Sequence, residues 1–378
     1  MKCIDELSSA ELKGKRVLLR ADFNVPLSNT GEVGDIFRLK QGWQTVKFLS
    51  ESGARVIIIS HIGRDPGESL EPVARALKSF GEVAFVPDIF GEASRGAREA
   101  MRDGEILLLE NLRRDSREKE NDEGMGKELA AFADIYVDDA FAAAHRAHAS
   151  IVAVAGFLPH YAGLLMRDEV AQLNRARAPE HPSFAILGGA KFETKAPLIK
   201  TLLATYDHLF ITGALANDVF KAKGLPVGRS LISKELPTKE ILDNPHFIAP
   251  VDVTAENQEK QAKVKKPGEV GDDDKIVDIG PDSVQSIAVM IAEAKFILWN
   301  GPTGLYEDGY TSYTHAIAEI VAHAVDNGAQ AVIGGGDTIA AILESNISPK
   351  RLGFLSTGGG AMLEYLLKGT LPGIAALE

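Results

Sequence analysis

The hydrophobic positions follow two rhythms in alternation. Runs apolar at every position, Val17-Leu18-Leu19, Val56 to Ile59, Ile106 to Leu109 and Ile135-Tyr136-Val137, read as strands buried on both faces. In the second half Phe184 to Leu187, Leu209 to Thr212, Phe296 to Trp299, Ala331 to Ile333 and Phe354-Leu355 read the same way. Between them Ser69 to Ser79, Gly126 to Ala133, Ser283 to Ala292 and Tyr313 to Val325 carry helical spacing. Strands too apolar to face water, separated by helices, predict an α/β fold of parallel sheets flanked by helices. Tyr161 to Arg177 reads as one long helix, and Ala178-Pro179-Glu180-His181-Pro182 breaks it before the next strand. The chain thus divides into two doubly wound domains, residues 1–160 and 183–363, joined by an interdomain helix and linker, 161–182, and separated by a cleft. Asp272-Asp273-Asp274-Lys275 reads as a solvated loop.

The length of 378 residues suits two domains, and 45% hydrophobic residues suffice for two cores. A net charge of -12 argues against a nucleic-acid partner, which needs a broad basic surface. It leaves room for a small anionic ligand, because a few arginines in a cleft reverse the local field. Cys3 is the only cysteine, which excludes an internal disulfide and a cysteine-based zinc site. The first residues include acids and no long apolar stretch, unlike a secretory leader, and no apolar run is long enough to span a bilayer. A cytoplasmic protein without a membrane partner is expected.

Ligands of doubly wound sheets bind beyond the carboxyl ends of the strands. In the first half those positions hold Asp22-Phe23-Asn24, His61-Ile62-Gly63-Arg64, Arg113 and, after Asp138-Asp139, Arg146, with Arg38 in an intervening connection. Singly, each is as easily a solvated loop residue. Their recurrence at corresponding strand ends points to a small ligand with at least two anionic groups, since the arginine fork makes paired bonds to phosphate and carboxylate.

The second half offers glycine turns instead. Gly334-Gly335-Gly336-Asp337-Thr338 joins a strand to a helix, so backbone N–H groups and the helix N-terminus can meet phosphate, and Asp337 suits Mg²⁺. Gly358-Gly359-Gly360 forms a second such turn. Gly188-Gly189-Ala190-Lys191 forms a third, and a helix opening at Lys191 would set Lys191 and Lys195 one turn apart on one face. Asn300 and Glu307 flank the turn Gly301-Pro302-Thr303-Gly304. Neither G-x-x-x-x-G-K-[ST] nor an early G-x-G-x-x-G occurs, so the nucleotide site is neither a P-loop nor a dinucleotide fingerprint.

Together these strings resemble the phosphoglycerate kinase family along essentially the whole chain: RADFNVP (20–26), SHIGR (60–64), LLLENLR (107–113), DDAFAAAHRAHAS (138–150), AILGGAKFETK (185–195), LWNGPTGLYE (298–307), VIGGGDT (332–338) and LSTGGGAMLEYL (355–366). The resemblance implies two Rossmann-like domains, the first for 3-phosphoglycerate or 1,3-bisphosphoglycerate and the second for Mg-ADP or Mg-ATP. It puts Asp22, Phe23, Asn24, Arg38, His61, Ile62, Gly63, Arg64, Arg113 and Arg146 at substrate positions. Lys191, Lys195, Asn300, Glu307, Gly335, Gly336, Asp337 and Thr338 fall at nucleotide positions, with Mg²⁺ on Asp337. Arg38, Lys191, Lys195, Gly359 and Gly360 fall at the positions of the transferring group. It further implies a monomer that closes by hinge bending and a segment, about 364–378, that packs back on the first domain. The sequence departs from the family pattern at Ile62, Asp65, Arg114 and Thr212 to Ala216. A kinase for another acid and a non-enzymatic nucleotide-binding module are the competing expectations.

Overall fold

The computed structural model describes residues 1–378 other than Asn29 and Asp35. Packing divides the chain into two compact units: Met1–Ala171 with Thr370–Glu378, and Gln172–Gly369.

Unit 1 is built on a parallel six-stranded sheet in the order β3-β4-β2-β1-β5-β6. Its strands are β1 (Arg16–Arg20), β2 (Arg55–Ile59), β3 (Ala84–Val86), β4 (Ile106–Leu109), β5 (Ile135–Asp138) and β6 (His160–Ala162). Val17 pairs with Val56 on one side and Ile135 on the other, so the branched side chains of three strands stack in register. Val17, Leu19, Val56, Ile58 and Val137 form one core with Val46 and Leu49 of the helix Phe37–Glu51. The chain moves outward from β1 first to β2 and later to β5. The reversal of winding therefore falls between β1 and β5, where a doubly wound sheet leaves a crevice.

Unit 2 repeats the plan in the order β15-β14-β13-β7-β8-β9. The strands are β7 (Ser183–Leu187), β8 (His208–Ile211), β9 (Phe247–Ile248), β13 (Phe296–Asn300), β14 (Gln330–Gly334) and β15 (Phe354–Ser356). Here the reversal falls between β7 and β13. A separate antiparallel sheet, β11-β10-β12, comprises β10 (Val253–Glu256), β11 (Ala262–Lys265) and β12 (Lys275–Ile279).

Local chemistry explains where the elements differ from the sequence reading. The helix expected from Tyr161 begins at Leu164, because Tyr161 pairs with Val137 in β6. Gly163 has no side chain to cap this helix; Asp139, just beyond β5, supplies one by accepting from the Met166 N–H at 3.1 Å. The helix expected at Gly126 starts three residues earlier, at Glu123, because Asp122 caps it through the Met125 N–H at 2.7 Å. The solvated loop expected at 272–275 is not one at Asp274, which is buried and paired with Lys265 at 2.5 Å, while Lys275 opens β12. That ion pair ties the turn to the end of β11.

Candidate functional site

In unit 1 the segments after β1, β2, β4 and β5 enclose a cavity of about 1030 Å³, lined by Asn24, Arg38, Ile62, Gly63, Arg64, Glu68, Arg113, Lys119, Arg146 and His148 among others. Arg20, the last residue of β1, is fully buried behind it. Its Nε donates to Ser150 Oγ at 2.9 Å, one Nη to the Ala21 carbonyl at 2.6 Å and the other to His61 Nδ1 at 3.0 Å. A guanidinium can only donate, so His61 Nδ1 accepts and the ring proton sits on Nε2. Burial, reinforced by Arg20, pulls the His61 pKa down to about 3. His61 is therefore a neutral hydrogen-bond donor at physiological pH.

Behind the same wall Glu118 is buried, accepting from the Ser150 amide at 2.9 Å and its hydroxyl at 2.6 Å, with His148 Nδ1 3.6 Å away. Burial pushes the Glu118 carboxyl up, but His148, Arg20 and Ser150 outweigh it and hold the group low. Asp22, also buried, accepts from Arg38 Nη1 at 2.8 Å, and Arg38 keeps it ionised against its burial. Asn24 Oδ1 takes the Gly63 N–H at 2.8 Å, and Arg38 donates to the Asn24 carbonyl at 3.1 Å. Gly63, at φ +61°, presents its carbonyl to Arg113. Burial and then the neighbouring Arg146 and Arg20 depress the Arg113 pKa. Cations crowded in this way favour an anion between them.

In unit 2 the glycine turns gather where the winding reverses. The Gly188 N–H donates to the Asn300 carbonyl at 2.7 Å. A Cβ on Gly301, which holds φ +100°, would lie 2.5 Å from the Gly188 carbonyl carbon. Trp299 is fully buried and donates from Nε1 to the Gly301 carbonyl at 2.8 Å. Lys195 Nζ donates to the Gly188 carbonyl at 2.9 Å and reaches Asn300 Oδ1 at 3.4 Å, and burial lowers its pKa to about 8. Lys191 does not share a helical face with Lys195. It sits before the helix Phe192–Thr205 in a left-handed conformation, φ +64°, with its side chain exposed. The positive φ needed to leave the glycine turn removes it from the helix.

A neighbouring pocket of about 320 Å³ is lined by Gly189, Gly213, Leu231, Pro250, Val253, Tyr306, Glu307 and Asp337 among others. Gly335, at φ +99°, precedes the helix Gly336–Leu343, whose first residues Gly336 and Asp337 are exposed. Thr338 is fully buried, its hydroxyl accepting from the Gly301 N–H at 2.8 Å. Gly359, at φ +51°, precedes the helix that begins at Gly360. No cluster of three or more His, Cys, Asp or Glu among the described residues could form an all-protein metal cage. Asp337 alone, exposed and reached by Tyr306 OH at 3.4 Å, suits Mg²⁺, which takes one or two carboxylates and completes its shell with phosphate oxygens and water.

Residues 7–369 match the family model for phosphoglycerate kinase. The chain belongs to the phosphoglycerate kinase family. It is 41% identical over 390 residues to the phosphoglycerate kinase of Moorella thermoacetica and 38% identical over 387 residues to that of Coprothermobacter proteolyticus, covering 98% of each chain in both comparisons. Among solved structures, the phosphoglycerate kinase of Pyrococcus horikoshii superposes with a TM-score of 0.86 at 30% identity, covering all of this chain and 98% of that one. The enzyme from Coxiella burnetii gives 0.80 at 35% identity, covering 99% of this chain and 97% of that one. Membership makes the chain a kinase that transfers phosphate to a carboxyl group. Among the described residues no helix is long and apolar enough to cross a membrane.

In unit 1, Asn24, Arg38, Ile62, Gly63, Arg64, Arg113 and Arg146 line a single cavity. Asp22, Phe23 and His61 form the layer behind it. Phe23 is wholly in the core, where only its backbone takes part, donating to Ser60 Oγ at 3.0 Å. Glu307 and Asp337 share the second pocket, whereas Lys195 and Asn300 sit at the adjoining Gly188–Gly301 contact. Sequence reasoning passed over Glu118 and Lys119, and gave Arg20 and His148, both just after predicted strands, no place in the site. Arg20 closes a strand and so reads as a solvated end, and the loop after Arg113 carries no glycine or arginine spacing that marks Glu118 or Lys119.

Proposed function

We propose that unit 1 binds 3-phosphoglycerate or 1,3-bisphosphoglycerate, that unit 2 binds Mg-ADP or Mg-ATP, and that the phosphoryl group passes directly between them. The observation carrying this reading is the convergence of Arg38, Arg64, Arg113 and Arg146 on one cavity backed by a neutral histidine. The arginines suit the phosphate and carboxylate of phosphoglycerate, and His61 donates from Nε2 without adding charge. The substrate carboxylate is the nucleophile and is ionised at neutral pH, so no general base is required.

Phosphoryl transfer depends on positioning and charge stabilisation more than on covalent participation. In this reading Arg38 and Lys195 stabilise the equatorial oxygens in transit, with the Gly359 and Gly360 amides adding donors. Lys191, Gly335, Gly336 and Thr338 line the nucleotide phosphates, and Glu307 accepts from ribose hydroxyls. Mg²⁺, when bound at Asp337, neutralises nucleotide charge. In-line transfer needs the two ligands in contact and water excluded, so we assign the connecting helix Leu164–Arg177 a hinge role; identical scattering with and without both substrates would refute that role. We further assign a cytoplasmic monomer without a nucleic-acid partner.

The test is Mg²⁺-dependent formation of ADP from ATP and 3-phosphoglycerate. Turnover is expected, with Arg38→Ala lowering kcat by about 10²–10³ while ADP binding persists. An unmodified protein that binds nucleotide without turning over would identify a binding module instead. Turnover with another carboxylic acid, and none with 3-phosphoglycerate, would identify a kinase of different specificity.

A further inference from the structure

The phosphoglycerate cavity holds a cation that no family position supplied. We propose that Lys119 contacts the anionic groups of the phosphoglycerate, as a further substrate-binding residue resting on the cavity assignment above.

Three observations carry it. The backbone at Lys119 is fixed to the cavity wall although its side chain is exposed. The preceding residue, Glu118, is clamped by the Ser150 amide and hydroxyl at 2.9 and 2.6 Å. Earlier in the same turn Asp115 caps the Arg117 N–H at 3.0 Å, and Arg117 pairs with Asp115 at 2.7 Å and Glu128 at 3.1 Å. Beyond Lys119 the Asn121 Oδ1 accepts the Ala153 N–H at 3.1 Å, so the backbone position of Lys119 is set by neighbours on both flanks, even though its own side chain is not.

Three of the other four cations have protein partners. Arg38 is paired with Asp22, Arg113 donates to the Gly63 carbonyl, and Arg146 donates to His145 Nε2 at 3.0 Å. Lys119 makes no ion pair among the described residues. The one carboxylate on the cavity wall, Glu68, is not within ion-pairing reach of it.

Finally, the wall carries Arg38, Arg64, Arg113, Lys119 and Arg146 against Glu68, five positive side chains to one negative. Such crowding is unfavourable in the empty cavity and relieved by a ligand bearing a phosphate of about -1.5 to -2 and a carboxylate. An ammonium on a flexible stem suits phosphate as a point charge, without the fixed geometry an arginine requires.

The experiment measures steady-state kinetics of Lys119→Ala, Lys119→Glu, Lys119→Arg and, as reference, Arg113→Ala. Lys119→Ala should raise KM for 3-phosphoglycerate about three- to tenfold, Lys119→Glu should raise it further, and Lys119→Arg should stay within about twofold. The kcat and the KM for Mg-ATP should hold within about twofold in all three, and the Lys119→Ala effect should shrink at high salt. A merely structural lysine would move both KM values, or neither. If Lys119→Glu leaves the phosphoglycerate KM unchanged while Arg113→Ala raises it, the proposal is overturned and the cavity assignment stands. If neither variant moves that KM, both are overturned.

Discussion

Gly301→Ala tests whether the contact between the glycine turns of β7 and β13 organises unit 2, where we propose the nucleotide binds. At φ +100° an alanine costs about 1–3 kcal/mol in backbone strain. Its methyl would stand 2.5 and 2.6 Å from the Gly188 carbonyl carbon and Cα, both backbone atoms that cannot rotate aside. Forcing the turns apart costs about 1–3 kcal/mol in overpacking and about 1 kcal/mol for the Gly188–Asn300 backbone hydrogen bond. The sum, roughly 3–7 kcal/mol, is a large part of the stability a protein of this kind has to lose. Gly328→Ala is the control, because Gly328 also holds φ +100° but a methyl there meets open space. It should show the backbone cost alone. Urea unfolding followed by tryptophan emission suits the measurement, since buried Trp299 bonds to Gly301 itself. ADP affinity should fall in Gly301→Ala and hold in Gly328→Ala, because separating the turns also disturbs Lys195 and Asn300. Equal destabilisation by the two substitutions would refute the close-approach argument.

Two further outcomes concern pH. Burial lowers the Lys195 pKa to about 8, so the free enzyme loses this positive charge as pH rises through that value, and ADP affinity should weaken above it. Lys195→Arg should flatten the dependence up to about pH 9.5, because arginine stays protonated; calorimetric titrations with matching slopes for both proteins would contradict this. Asp139 has its pKa raised to about 7 by burial, against about 3.9 in an unfolded chain. The fold therefore prefers the neutral carboxyl, whose contribution is complete below about pH 4 and is lost as pH rises through about 7. Asp139→Asn keeps an oxygen for the Met166 N–H and should remove roughly 2–3 kcal/mol of the stability lost between pH 5 and pH 8. Thermal melts across that range decide it, and an unchanged pH dependence would sink the argument.

The two parallel sheets were legible because their central strands carry branched apolar residues at every position, which only burial on both faces allows. Strands without that signature escaped notice: β6 (His160–Ala162) at a sheet edge, and β10 to β12, a small antiparallel sheet whose edge strand β11 is largely exposed. The arginines that line the unit 1 cavity were legible as a group because strand ends recur. Their division into cavity wall and backing was not, since nothing in Arg20 announces that it folds inward to fix a histidine tautomer. The left-handed turn at Lys191 was hidden for a different reason: helical spacing from Lys191 to Lys195 looks sound, and only the preceding glycines decide the backbone path.

The segment after Gly369 returns to unit 1, where the Gly373 N–H donates to the Ala144 carbonyl at 2.8 Å and a Cβ at Gly373 would crowd Ile151. On the ribosome this reverses the usual order of completion. Unit 2 holds its whole set of contacts once Gly369 has emerged, whereas unit 1, begun first, stays open until Thr370–Glu378 arrives. A nascent chain stalled at Gly369 would carry a finished unit 2 and a unit 1 still lacking its closing helix, Pro372–Ala375.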